Sequence, residues 1–170
     1  MIRYVTGAVG ALIFAFGAWA QTSPPQHQHN VAAPNLIDGA VRPDLIPDSV
    51  AYRLYLVTVS TGRNPTESAQ KDQRAKVAKT GLDDTDQHVL TDILSDFRTK
   101  YDDLVSEYNS AARAALARNE SQDIRGLLKE IDKLVQSTRD AIDSRLSPRG
   151  SAKLHSFVMA EKKNMKVTED

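Results

Sequence analysis

Between Val89 and Ala115 the apolar side chains return every three or four positions, at Val89, Leu90, Ile93, Leu94, Phe97, Tyr101, Leu104, Val105, Tyr108, Ala112 and Ala115. A helix places positions so spaced on one face, whereas a strand would scatter them over both. The spacing predicts a single amphipathic helix from about Asp84 to Ala117. The period resumes in Ile124, Leu127, Leu128, Ile131, Leu134, Val135, Thr138, Ile142 and Leu146, with Asn119 or Ser121 available as a cap. Few residues separate the two runs, so they are expected to fold back on each other as an antiparallel hairpin. At about 1.5 Å per residue each helix would be roughly 40 to 50 Å long.

Shorter helices are expected on either side. Asp48 and Ser49 can cap one that runs through Val50, Ala51, Leu54, Tyr55 and Val57 to about Thr61, with Gly62 as its stop. Asn64 followed by Pro65 reads as a second start, opening a mostly polar helix that reaches Thr80 before Gly81. Ser147 followed by Pro148 opens a last helix carrying Leu154, Phe157, Val158 and Met165, and the tail from Lys166 is expected to fray. No alternating apolar and polar run with turn chemistry at both ends supports a sheet. The expected fold class is all-α: an elongated antiparallel hairpin of two long helices with shorter flanking helices.

Residues 1–20 have the three parts of an export signal: Arg3, an apolar stretch from Val5 to Ala18, and the small-x-small end Ala18-Trp19-Ala20. The apolar stretch is shorter than the ~20 residues that span a bilayer and is interrupted by glycine, so cleavage after Ala20 is expected rather than retention as an anchor. Residues 21–42, rich in Gln, Pro, Asn and His without an apolar period, read as a flexible leader. Residues 43–167 are the expected helical domain. The pattern implies a periplasmic or secreted protein with no stable membrane insertion after cleavage.

The chain has no cysteine, which excludes disulfides, thiolate nucleophiles and Cys-bound zinc. Its 22 basic and 22 acidic residues cancel, which removes the electrostatic basis for a nucleic-acid partner. His27 and His29 are the candidate metal ligands, one residue apart in the leader, but a closed site needs a third and fourth ligand. His88 and His155 fall on different helices and read as surface or boundary side chains. Asp83, Asp84 and Asp86 crowd the start of the long helix, where negative groups cap free amides and complement the backbone dipole without any ion. Asp102 and Asp103 read as a solvated face.

No Gly-x-Ser-x-Gly turn, Gly-rich phosphate loop or His-Glu-x-x-His pair is present, so no catalytic or cofactor-binding residue is named and no cofactor is expected. A hydrolase would require a clustered serine, histidine and carboxylate. Tyr52, Tyr55, Tyr101, Tyr108, Phe97 and Phe157 could line a concave binding surface, with core packing favoured for those on the long-helix seam, and Tyr52, off the Val50, Leu54, Val57 spacing, is the aromatic expected to be exposed.

The segment Leu146-Ser147-Pro148-Arg149-Gly150-Ser151-Ala152-Lys153-Leu154 resembles the Leu-Thr-Pro-x-Gln-x-x-x-Leu element of the exported Spy and CpxP helical family, and Leu90-Thr91 echoes it. Gly150 stands where that family has Gln. The resemblance implies a non-enzymatic helical hairpin that dimerises into a cradle for unfolded clients, or a stress-response accessory. The expected function is therefore an extracytoplasmic helical interaction protein whose partner is a protein, an unfolded client or a second copy. The alternative is a periplasmic metal-binding sensor or buffer using the histidine-bearing leader.

Overall fold

In the computed structural model, residues 36–120 and 124–168 are described. They form β1 (Leu36–Asp38), α1 (Asp48–Val59), α2 (Glu67–Ala78), α3 (Asp84–Ala117), α4 (Arg125–Arg145), α5 (Pro148–Glu161) and β2 (Lys166–Thr168), with 3-10 turns at Pro43–Leu45 and Lys162–Asn164. The fold is mostly helical, and the all-α expectation holds at that level apart from one small sheet.

Local chemistry explains the ends of α3. Asp83 accepts a hydrogen bond from the Asp86 N–H at 2.9 Å, satisfying one of the amides that a first helical turn leaves free. At the other end the Asn119 N–H donates to Leu116 O at 3.0 Å and the Glu120 N–H to Ala115 O at 2.9 Å, while Asn119 takes a φ of 61°. This is a Schellman closure, and asparagine tolerates the left-handed conformation it needs. Asn119 therefore stops α3 instead of capping α4, and Ser121 lies outside the described residues.

The start of α2 also differs from expectation. Asn64 lies at φ 56°, and Thr66 is the cap, its hydroxyl accepting from the Ala69 N–H at 3.2 Å. A residue before proline disfavours the right-handed helical region, which moves the start beyond Pro65. The last helix begins as read: Ser147 Oγ accepts from the Gly150 N–H at 3.0 Å and Pro148 occupies the first helical position.

One continuous core unites these elements. Leu90, Ile93, Leu94 and Phe97 of α3 meet Ile131, Leu134, Val135 and Ile142 of α4, with α1 adding Ala51, Tyr52, Tyr55, Leu56 and Val59, and α5 adding Leu154 and Val158. The long helices α3 and α4 pack extensively on each other, and α1 lies against α3, α4 and α5. Because α1 is covered by three neighbours, its buried face is broader than the stripe its spacing suggested. Tyr52 is only 3% exposed, against the expectation of a surface residue, and Val50, Leu54 and Val57 are half-buried.

Both ends of the described chain join in an antiparallel pair, β1 with β2, in the register Leu36 to Thr168, Ile37 to Val167 and Asp38 to Lys166. This corrects two expectations: part of the supposed leader is ordered, and the tail pairs instead of fraying. Three-residue strands are too short to display alternation, and what places β1 is burial of Ile37, which belongs to the core. Gly39 follows it because a Cβ there would lie 1.8 Å from the Lys162 carbonyl oxygen, and its N–H donates to Met165 O at 2.9 Å.

Candidate functional site

Two surfaces merit attention. The first is a shallow depression where α1, α4 and α5 meet around Tyr52. The Tyr52 hydroxyl is 3.2 Å from His155 Nδ1, and the Arg139 guanidinium lies 4.5 Å above the centre of the Tyr52 ring. The histidine itself is exposed, as its sequence position suggested. Burial raises the Tyr52 hydroxyl above its ordinary pKa of 10, opposed by Arg139 and aided by Asp143 and Asp48. Nearby, Lys162 donates to Asp48 at 2.6 Å and holds that carboxyl below its usual range.

Ser151, His155 and Asp143 also converge here, the three residue types a hydrolase would need. Their connectivity is different. Ser151 Oγ donates directly to Asp143, while His155 is bonded to Tyr52. A nucleophile must share its proton with the base, and the base must in turn be held by the acid. These contacts join α1, α4 and α5, with Arg139 over the Tyr52 ring.

The second surface is the far part of the α3 and α4 pair. The main core cluster reaches Leu104 on α3 and Leu127 on α4, Ala115 is buried further along α3, and the apolar period continues through Val105, Tyr108, Ala112 and Leu116 on α3 and through Leu128 of α4 and Ile124 just before it. Val105, Tyr108, Ala112 and Leu128 are half-buried, whereas Leu116 is 75% and Ile124 44% exposed. Leu116 near the end of α3 and Ile124 at the start of α4, exposed in this way, offer apolar area that a partner can remove from water.

No protein-family model, curated protein or solved structure matches this chain.

The metal candidates His27 and His29 lie outside the described residues. Among the described residues no group of three or more His, Asp or Glu side chains is placed to hold a metal ion. The acidic trio at the start of α3 serves separate ends: Asp83 caps, Asp84 is exposed, and Asp86 is buried against Ser147. Asp102 and Asp103 pair with Arg98 at 2.8 Å and Arg63 at 2.5 Å. No helix among the described residues is long and apolar enough to cross a membrane.

At Gly150, where the Leu-Thr-Pro-x-Gln element has Gln, a Cβ would fall 2.1 Å from Asp86 Oδ2. Glycine is demanded by that contact, and the Ser147-Pro148 start is accounted for by capping. The role of Asp86 escaped the sequence reading because a second carboxylate in a first helical turn looks like dipole complementation.

Proposed function

We propose that this chain is an exported, non-enzymatic interaction protein, in which α3 and α4 form an elongated antiparallel hairpin whose far end takes up apolar protein segments. The reading is chaperone-like, or that of a stress-response accessory. The observation that supports it most is the continuation of the apolar period past the main core cluster to Leu116 and Ile124, both exposed. Export rests on the signal pattern of residues 1–20. The purified chain, at stoichiometric amounts and without ATP, should suppress light scattering from an unrelated protein diluted out of denaturant. Leu116→Glu with Ile124→Glu should remove that effect while the helical circular dichroism is unchanged. Scattering that is unaffected by the wild-type chain would end the reading.

A further inference from the structure

A groove open to solvent, about 570 Å³ in volume, runs between α5 and the turn that joins α2 to α3. Clefts that hold small molecules have volumes of about 300–1,000 Å³. Its α5 wall carries Arg149, Lys153 and Phe157, with Ala152 and Ser156 between them, at spacings that share one helix face. That face borders the buried Gly150, Leu154 and Val158, so the core fixes its orientation. Phe157 is held edge to face by Tyr55, with ring centres 6.1 Å apart. Lys153 donates to the Gly81 carbonyl at 2.6 Å and ties the two walls together.

Charge in this groove is one-sided. Its ionisable side chains, Arg149 and Lys153, are both cations, and among the described residues no carboxylate lines it. The exposed Arg149 guanidinium has no hydrogen bond or ion pair among the described residues. Lys153 has N–H donors to give beyond the one that Gly81 accepts. The carboxylate whose charge Lys153 does meet, Asp86, already accepts from Ser147 at both oxygens. The two hydroxyls spend their protons on nearby carbonyls, Thr80 on Val77 O at 2.6 Å and Ser156 on Ala152 O at 2.9 Å. The side-chain donors left for a ligand are therefore cationic, and beside them stand the Phe157 ring and the Ala152 methyl group. We propose that the groove binds a small organic anion, its carboxylate on the planar fork of Arg149 with Lys153 alongside and its apolar body over Phe157. Gly81 precedes the start of α3 and Leu116 lies near its end, so this site is separate from the interaction surface proposed above.

Titration of the full chain with phenylacetate, followed by amide NMR shifts, tests this. The amides of Gly81, Ala152 and Ser156 should move together with a dissociation constant of about 1 mM or below, the range open to a groove that covers only part of its ligand. 2-Phenylethanol, which keeps the body without the charge, and inorganic phosphate, which keeps charge without the body, should each bind about tenfold more weakly. Arg149→Gln should weaken phenylacetate about tenfold with thermal melting unchanged, since that side chain holds nothing in the fold. Ala152→Trp, which fills the groove from an exposed position, should abolish binding. Arg113→Gln removes an equal charge from exposed α3 surface and should leave the affinity as it was. Absence of shifts at the three amides, either control compound binding as well as phenylacetate, or retained affinity in the Arg149 or Ala152 variant overturns the proposal. So does an Arg113 variant as impaired as the Arg149 one, which would mark binding to surface charge in general.

Discussion

The carboxylate of Asp86 accepts two hydrogen bonds from Ser147, from its backbone N–H at 2.8 Å and its hydroxyl at 2.6 Å, and so fastens the first turn of α3 to the cap of α5, 61 residues away. The same serine hydroxyl accepts from Gly150, and the Asp86 N–H is itself held by Asp83. Two helix starts are thus secured by one buried side chain.

This contact predicts a specific non-additivity. Gly150→Ala places a methyl group 2.1 Å from Asp86 Oδ2 and should lower the melting temperature. Asp86→Ala should lower it too, by leaving the Ser147 amide without its acceptor. In the double variant the clash is gone, so the loss should be smaller than the sum of the two. Additive losses in thermal unfolding would show that Gly150 and Asp86 do not constrain each other.

A pH dependence follows as well. Hydrogen bonds from the Ser147 hydroxyl and N–H hold the Asp86 carboxyl below its ordinary 3.8, and Lys162 does the same for Asp48. Each group is depressed in the folded state, so its contribution is complete above the unfolded value and is lost as pH falls through the folded one. Denaturant unfolding between about pH 5 and pH 2 should show stability declining on the acid side. Asp86→Asn should flatten that decline, and an unchanged slope would remove Asp86 as a contributor.

Phe97 is 1% exposed at the centre of the α3 and α4 contact, stacked on Tyr101 with ring centres 5.7 Å apart. Phe97→Ala should cost about 3 to 5 kcal/mol in denaturant unfolding, a large share of what a domain of this size possesses. A loss near zero would mean that the surroundings collapse fully into the space.

If the export signal is processed as its pattern implies, mass spectrometry of the native protein should find Gln21 at the N-terminus, as such or cyclised. Recovery of intact Met1 with membranes would favour a retained anchor.

Much of the helical framework was legible because its determinants are local. The apolar period and the acidic start placed α3 at Asp84–Ala117, as observed, and the Ser147-Pro148 pair marked the cap of α5. A period depends on the chain's own geometry, and a cap on residues three apart, so neither needs a distant partner. Other features depended on what packs where. Tyr52 is buried because α4 and α5 both close over α1, which no spacing within α1 could announce. The pairing of β1 with β2 joins opposite ends of the domain through strands too brief to carry a pattern. Asp86 is indistinguishable in sequence from its neighbour Asp84, and only the approach of Ser147 makes it a tether. Period and capping chemistry determined the helices; the tertiary structure decided which of their side chains are buried and which carboxylate joins two of them, because burial and long-range hydrogen bonds are properties of neighbours the chain acquires only on folding.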